Sequence, residues 1–306
     1  MFKKLSNRIW RVRHGIDTPY EFCLLVINKI IKCTGIDLEL YSRAHNRRMM
    51  KKLQQFKTNN GFKIKDAKIP TLPDGYNNKF EKAIFWETFF SYAFFDDKYD
   101  EETFYFCSLF DPECLYSLVN DKVNVKVEPG DIVIDAGAWV GDFSAYASAV
   151  GAGKTYAFEA APDTFKILQE TAKLNANIIP VNMGIAAKQS EMILFKSTYS
   201  TGAHSLLDKS ENADFIKDEQ PIKTISIDDF VRENNLTRVD FIKADIEGFE
   251  RHLLEGAQET LKKFAPKLAL CTYHLPDDPE VMAALIKKAN PNYKIVQKRC
   301  KLFASI

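Results

Sequence analysis

The sequence predicts a doubly wound α/β domain, in which a mostly parallel sheet is covered by helices on both faces. From about residue 122, short apolar runs alternate with amphipathic segments, and a strand-then-helix order repeats. The runs at 131–136 and 239–244 are of the kind found in sheets that are buried on both sides. Such repeats imply parallel strands with right-handed crossovers, and ligands then bind outside the carboxyl ends of the strands.

The first 65 residues are predicted to be helical and are strongly basic. They hold 15 Lys or Arg and 4 Asp or Glu, a net charge of +11, whereas the whole chain carries +1. A capping box at 18–21 with Pro19 at the first helical position begins one helix, and a second is expected from about Leu38 to Lys57. Prolines and an Asp-Gly pair at 66–79 then predict a loop. We therefore expect residues 1–79 to be a basic helical region and linker.

Aromatic residues are concentrated in the next segment, 80–121, where 14 of the chain's 38 aromatic residues lie at 80–116. They predict helices that pack on the following domain, or a lid that offers ring faces to a substrate. The following domain, 122–306, carries the alternating pattern. Its strands are predicted at 131–136, 154–159, 178–183, 191–195, 222–227, 239–244, 267–273 and 293–297, and its helices at 140–150, 162–175, 228–235, 249–263 and 278–289.

A glycine-containing turn follows the first strand of this domain. In the run Asp135-Ala-Gly-Ala-Trp-Val-Gly141, Gly137 allows a sharp turn and the close approach of a ligand, and Gly141 allows a helix to pack closely. The N–H groups at the start of that helix suit a carboxylate or phosphate, and Asp135 can accept from an ammonium group or water. The spacing is not the G-x-G-x-x-G of dinucleotide sites. Glu159, at the end of the next strand, can bind both hydroxyls of a ribose.

Acidic residues and a histidine follow two further strands. Asp245 and Glu247 have the same strand parity, so we expect them to face one crevice. They are candidates for a metal site, for a general base, or for a helix N-terminus enriched in acids. His274 follows the strand at 267–273 and is a candidate general base, because the unperturbed pKa of histidine lies near neutrality.

Together these segments resemble the FkbM-type family of class I methyltransferases, which depend on S-adenosylmethionine. The resemblance extends over about 110–298 and rests on the turn at 135–141, Glu159, the runs 242–250 and 254–256, and the segment 273–277. Two positions depart from it. Trp139 stands where asparagine is expected, and Ala187 stands where an acidic residue is common.

The resemblance implies a Rossmann-like domain with a mostly parallel seven-stranded sheet, an N-terminal helical extension, and S-adenosylmethionine as the cofactor. The glycine turn would hold the methionine part, Glu159 the ribose, and the strand end at 182–184 the adenine. The cofactor-binding residues are therefore expected to be Asp135, Gly137, Ala138, Trp139, Gly141, Glu159, Ala160, Asn182, Met183 and Gly184.

The resemblance also implies methyl transfer to a hydroxyl of a sugar, glycan or glycoconjugate. We expect His274 or Asp245 to remove the hydroxyl proton, with Glu247 and Lys243 orienting the acceptor. A site without metal is favoured, and a divalent metal on the oxygens of Asp245 and Glu247 is the alternative.

Two other functions stay open at this point. One is a nicotinamide-dependent oxidoreductase or epimerase that modifies sugars, which the missing G-x-G-x-x-G disfavours. The other is a non-catalytic protein whose basic N-terminus binds membrane or nucleic acid, and we expect an anionic membrane rather than nucleic acid as its partner. Six scattered cysteines and apolar runs too short to span a bilayer predict a cytoplasmic protein, at the inner face of the membrane if the extension binds there.

Overall fold

The computed structural model describes residues 57–59, 61–64, 66–70, 116–198, 202–298 and 301–306. The predicted helices before residue 57 and most of the aromatic segment lie outside these residues. The division of the chain at residues 79 and 121, and the contact of the basic extension with a membrane, therefore stay predictions. Within the described part of the chain, no helix is both long and apolar enough to cross a bilayer.

The described elements alternate along the chain as the sequence pattern predicts. The strands are β1 (Lys57–Thr58), β2 (Gly61–Ile64), β3 (Ala67–Pro70), β4 (Leu118–Val119), β5 (Asn124–Val125), β6 (Ile132–Ala136), β7 (Lys154–Phe158), β8 (Ile178–Val181), β9 (Gly184–Ile185), β10 (Ser190–Ser197), β11 (Phe215–Ile225), β12 (Phe241–Ala244), β13 (Lys267–Cys271), β14 (Lys294–Lys298) and β15 (Lys301–Ser305). The helices are α1 (Asp142–Ala149), α2 (Pro162–Leu174), α3 (Ile227–Glu233), α4 (Glu250–Glu255), α5 (Gln258–Phe264) and α6 (Asp278–Ala289).

A seven-stranded sheet in the order β14-β15-β13-β12-β6-β7-β8 forms the centre of the domain. The five strands from β13 to β8 are parallel to their neighbours, and β15 runs antiparallel to both β13 and β14. The predicted mostly parallel, seven-stranded α/β architecture is therefore confirmed. A smaller sheet in the order β10-β11-β9 lies beside it.

Alternate residues of each central strand face two separate hydrophobic cores. In β12, Phe241 packs with Phe143 of α1 on one face, whereas Ile242 packs with Leu253 of α4 and Met282 of α6 on the other. Because side chains alternate with a period of two, a strand that is covered on both faces is apolar at nearly every position. This explains the short apolar runs that identified the strands.

The structure corrects the prediction around residues 57–70. The second helix was expected to continue to Lys57 and residues 66–79 to form a loop, but β1, β2 and β3 form an antiparallel sheet here. Polar and apolar residues alternate at 62–65 and again at 66–69, which is a strand pattern interrupted by a turn. Ala67 packs in the core beside α1, and the backbone oxygen of Lys68 accepts a hydrogen bond from Asn175 at 2.8 Å. These strands therefore pack against the central α/β domain.

The helix predicted at 249–263 is divided into α4 and α5 by Gly256. A Cβ atom at this position would lie 2.6 Å from the backbone oxygen of Ala186, and the Gly256 oxygen accepts a hydrogen bond from the Asp228 N–H. Another part of the backbone thus approaches so closely that the helix is interrupted there. The strand predicted at 222–227 ends earlier, at Ile225, because Ser226 caps α3 by accepting a hydrogen bond from the Asp229 N–H at 3.0 Å.

Candidate functional site

An open crevice lies at the carboxyl ends of β6, β7 and β12. Parallel sheets of this kind bind ligands at this edge. Eight residues predicted for the site line the crevice: Gly137, Trp139, Glu159, Ala160, Met183, Gly184, Asp245 and Glu247. The cofactor side and the acceptor side of the prediction therefore meet in one cavity.

The glycine turn is held tightly against the end of β12. Gly137 has a φ of +75°, and a Cβ atom there would lie 2.0 Å from the backbone oxygen of Asp245. The N–H groups of Gly137 and Ala138 donate to the backbone oxygen of Phe158, at 3.1 and 2.8 Å. Gly141 has a φ of +88°, and a Cβ atom there would lie 2.8 Å from Leu168 of α2. The two glycines thus let the turn pack closely on its neighbours, and Gly137 lines the crevice in which a ligand can bind.

A buried ion pair supports the turn from below. Asp135 and Lys243 are direct partners in the parallel pairing of β6 and β12, so their side chains share one face of the sheet. The Lys243 ammonium lies 3.0 Å from Asp135 Oδ1 and donates to the Gly137 oxygen at 2.6 Å. The other carboxylate oxygen of Asp135 accepts from Ser144 at 2.6 Å. Burial opposes the charge of Lys243, but Asp135 and other nearby carboxylates raise its pKa, so the ammonium stays charged.

Lys243 therefore does not lie where the sequence predicted it. It was expected to orient the acceptor hydroxyl, but only 4% of the residue is exposed and it lies beneath the turn rather than in the wall of the crevice. Its contacts orient the backbone of the turn. Asp135, Ala138, Gly141 and Asn182 likewise support the crevice from outside its lining.

Glu159 connects the ends of β6 and β7 through its carboxylate. Oε2 accepts a hydrogen bond from the Trp139 N–H at 3.0 Å, and Oε1 accepts one from the Ala161 N–H at 2.8 Å. Burial raises the pKa of Glu159 to about 7, although these two hydrogen bonds act in the opposite direction. Each carboxylate oxygen has a second lone pair, so a ligand hydroxyl can still donate to it.

Cofactor affinity is expected to depend on pH through Glu159. If ribose hydroxyls donate to the ionised carboxylate, lowering the pH from about 8 to about 6 across a pKa near 7 should weaken the binding of S-adenosylmethionine about tenfold. The Glu159→Gln variant should bind about 10- to 100-fold more weakly at about pH 8, since a hydrogen bond to a charged group is lost. It should also bind with little further dependence on pH. Isothermal titration calorimetry measures both effects.

Glu170→Gln, on the exposed face of α2, is the control for this experiment and should keep the wild-type pH dependence. Burial also raises the pKa of Asp142 to about 6, so the Glu159 variant is needed to separate the two groups. A Glu159→Gln protein with the full wild-type pH dependence would contradict this role for Glu159.

Apolar residues line the far end of the crevice, and His204 closes it. The Asn182 amide donates to the Glu159 backbone oxygen at 2.8 Å and fixes the strand end that carries Met183 and Gly184. His204 Nδ1 accepts from the Ser197 N–H, and burial lowers the pKa of His204 to about 4. It is therefore neutral at physiological pH. The sequence prediction did not include the apolar residues that complete this wall: Phe158, Ile185, Leu194, Leu206 and Ile246.

Two tyrosines fix the carboxylate of Asp245 at the other end. Tyr116 donates to Oδ2 at 2.9 Å, and Tyr273 donates to Oδ1 at 3.0 Å. Tyr116 is the only residue of the 80–116 aromatic segment that falls in the described part of the chain, and its ring packs edge-to-face on Phe143. Tyr273 is half exposed, at 52%. The sequence prediction did not assign either tyrosine to the site, because no local pattern brings them next to Asp245.

The turn after β12 presents the remaining acids. Glu247 has a φ of +54° and Gly248 a φ of +100°, so this turn, rather than strand parity, brings Glu247 to the crevice. Glu250 is fully buried and holds the turn by accepting from the N–H groups of Ile246 and Gly248, at 2.9 and 3.0 Å. Its Oε1 also lies 3.1 Å from His274 Nδ1. Glu250 ends the run 242–250 on which the sequence resemblance rests, but it was not assigned to the site.

His274 lies among these carboxylates. Its Nε2 is 3.3 Å from Glu247 Oε2 and 3.8 Å from Asp245 Oδ1. Burial acts against its charge, but the carboxylates of Glu247 and Glu250 raise the pKa of His274 to about 11. Burial raises the pKa of Glu247, whereas His274 and Lys243 lower the pKa of Asp245 against the effect of its burial. The three groups therefore form one strongly interacting cluster at the crevice edge.

Comparison with known proteins gives a family match. Residues 135–294 match the model of the methyltransferase FkbM domain. The chain is 24% identical over 174 residues to the hexuronic acid methyltransferase AglP of Haloferax volcanii. The matched region covers 56% of this chain and 68% of that protein.

Solved structures of methyltransferases are also similar to it. The methyltransferase FkbM from Methylobacillus flagellatus KT is 16% identical with a TM-score of 0.47, covering 88% of this chain and 61% of that one. The chain thus spans less than two thirds of that protein. Aeropyrum pernix fibrillarin, solved with S-adenosyl-L-methionine bound, is 15% identical with a TM-score of 0.38, covering 64% of this chain and 73% of that one.

Proposed function

The chain belongs to the methyltransferase FkbM family, and on this premise we propose that it methylates a hydroxyl group of a sugar or glycoconjugate with S-adenosylmethionine. The observation that carries the proposal is the single crevice in which the glycine turn and Glu159 face Asp245 and Glu247. The hexuronic acid named for the Haloferax relative supports a carbohydrate acceptor. A nicotinamide-dependent oxidoreductase or epimerase is disfavoured because the chain lacks the G-x-G-x-x-G motif at the turn 135–141. The family match favours an enzyme over a protein that only binds a partner.

The residues of the crevice suit S-adenosylmethionine. At Gly137 the turn packs so closely on the backbone oxygen of Asp245 that no side chain fits there, and the backbone of Gly137 lines the crevice, where a ligand can approach the main chain. We assign the amino acid part of the cofactor to this turn, the ribose to Glu159, and the adenine to the wall beside Ala160 and Met183. When bound, S-adenosylmethionine supplies a methyl group on a positively charged sulfur.

The acceptor side must hold one hydroxyl and take up its proton. Both oxygens of Asp245 accept hydrogen bonds from tyrosines, which makes this carboxylate a fixed acceptor that can orient a hydroxyl. Glu247 approaches His274 with Oε2, and we assign its Oε1 to receive the proton. This differs from the expectation that His274 or Asp245 removes it. Alignment of the two reactants and proton removal together account for the catalysis that this chemistry requires.

The proposal is tested with the full-length protein, S-adenosylmethionine and a panel of sugars and uronic acids. Mass spectrometry should show S-adenosylhomocysteine and, in equal amount, a product about 14 mass units heavier, because a methyl group replaces a hydrogen. NMR should place the methyl group on a hydroxyl oxygen. Absence of cofactor binding in calorimetry would disprove the function. A methyl ester on a uronic acid carboxylate would disprove the hydroxyl assignment.

Replacement of Glu247 by glutamine is expected to lower kcat by about 100-fold or more, because a general base typically contributes that much. The affinity for S-adenosylmethionine should stay close to that of the wild type, since the glycine turn and Glu159 are unchanged. Glu255→Gln, on the exposed side of α4, is the control and should leave kcat unchanged. An unchanged kcat in Glu247→Gln would remove Glu247 from the proton-transfer step.

A further inference from the structure

Three potential metal ligands converge at the edge of the crevice. One ligand atom from each of Asp245, Glu247 and His274 lies within 4.8 Å of the other two. They come from two different loops, those after β12 and β13, and the turn that carries Glu247 is held in the left-handed region. Two carboxylates and one imidazole are a common donor set for divalent metal ions.

The burial and the contacts of the His274 ring independently indicate a ligand at this position. Only 8% of its side chain is exposed, and neither ring nitrogen makes a well-aligned hydrogen bond among the described residues, although carboxylate oxygens of Glu250 and Glu247 lie 3.1 and 3.3 Å from Nδ1 and Nε2. Buried polar atoms are almost always paired with good geometry, so an imidazole that lies among carboxylates without a well-aligned hydrogen bond can accept a further partner. Its Nε2 points towards Asp245 and Glu247, where a divalent cation would replace the Nε2 proton of the imidazolium and accept the nitrogen lone pair.

Glu250 orients the imidazole as metal sites require. Metal-bound histidines usually direct their second nitrogen at a carboxylate, which fixes the ring and the tautomer. Glu250 Oε1 lies 3.1 Å from His274 Nδ1, and Glu250 is itself held by two backbone N–H groups. Its position is therefore set by the turn. With Nδ1 facing Glu250, Nε2 is the nitrogen that remains for a cation.

We propose that Asp245, Glu247 and His274 bind one divalent cation, with Mn²⁺ as the best match to two oxygens and one nitrogen. Neighbouring ligands of an octahedral ion with bonds of about 2.1 Å lie about 3 Å apart. The observed distances of 3.3 and 3.8 Å from His274 Nε2 are close to that spacing, so small rotations of the carboxylates complete the site. Tyr116 and Tyr273 then hold Asp245 as a second layer of hydrogen bonds.

The cation would occupy the place where the acceptor hydroxyl binds. Three protein ligands leave about three of six octahedral positions open, which a hydroxyl and water can fill. A hydroxyl that coordinates a divalent ion has a lowered pKa, so its proton passes more readily to Glu247 Oε1. Binding of the cation itself does not depend on the proposed reaction, so the two can fail separately.

The test titrates the full-length, chelator-treated protein with Mn²⁺ and without cofactor or acceptor, and follows binding by calorimetry and by the paramagnetic resonance signal of free Mn²⁺. One site per chain is expected. His274→Ala and the nearly isosteric Glu247→Gln should each weaken binding at least about tenfold, and Glu250→Gln about 10-fold or more through the orientation of His274. Circular dichroism confirms that each variant is folded.

His252→Ala is the matched control, because it removes an imidazole 2.9 Å from a glutamate in the same part of the chain but on the exposed surface, where 43% of its side chain is accessible. It should bind Mn²⁺ like the wild type. No binding by the wild type would overturn the proposal. Folded His274→Ala and Glu247→Gln proteins with wild-type affinity, or an equal loss in His252→Ala, would overturn it too.

Discussion

Replacement of Gly137 by alanine is expected to abolish the binding of S-adenosylmethionine and, with it, methyl transfer. The new Cβ atom would lie 2.0 Å from the backbone oxygen of Asp245, and the residue would have to keep a φ of +75°. A non-glycine residue in this region costs about 1–3 kcal/mol, and relief of the clash must move either the turn or the end of β12. Because movement of the turn removes the surface that holds the cofactor, we expect binding to be more than about 100-fold weaker, a change of about 3 kcal/mol.

Gly130→Ala is the control for this experiment. Gly130 has a similar φ of +87°, but a Cβ atom there meets nothing within 4 Å. It should therefore cost about 1–2 kcal/mol of stability from backbone strain alone and leave cofactor affinity unchanged. Calorimetry and thermal unfolding of the two variants separate strain from steric contact. A Gly137→Ala protein that binds the cofactor as tightly as Gly130→Ala does would show that the turn does not hold it.

The parts of the fold that follow from local sequence pattern were predicted well. The central strands β6 and β12 are buried on both faces and mostly apolar, and the glycine turn follows directly from the run 135–141, so their positions were visible in the sequence. The sheet at 57–70 was mistaken for a helix end and a loop, because turn residues were given more weight than the alternation of polar and apolar residues in β2 and β3. Gly256 interrupts a helix only because distant backbone packs against it.

The parts of the site that depend on pairing between strands could not be predicted. Asp135 and Lys243 are 108 positions apart, and their contact follows from the register of β6 against β12, which the sequence does not state. Tyr116 is 129 positions from Asp245, and their hydrogen bond depends on long-range packing that the sequence does not state. The strand-end rule of α/β sheets placed the acids and His274 at one edge, but not the tyrosines or Glu250, which fix their orientation.

Replacement of Lys243 by methionine is expected to lower the free energy of unfolding by about 3–5 kcal/mol, because a buried carboxylate loses its partner. Asp135 is fully buried, and the ammonium of Lys243 is 3.0 Å away. The Gly137 oxygen would lose its donor as well, so cofactor affinity should fall in the protein that remains folded. Lys166→Met removes an exposed pair of similar length, 3.1 Å, and should change stability by about 0.5 kcal/mol or less.

A second variant separates the ion pair from the loss of packing. In Lys243→Met/Asp135→Asn, the buried charge is removed together with its partner, and the asparagine oxygen can still accept from Ser144. The double variant should be more stable than the sum of the single effects predicts, by about 1–3 kcal/mol, as expected for residues in direct contact. Urea unfolding of the four proteins measures this coupling. Additive effects would mean that Lys243 stabilises the domain through its hydrogen bond to the turn rather than through Asp135. Cofactor affinity would then be lowered equally in the two variants that lack Lys243 and would be unchanged in Asp135→Asn.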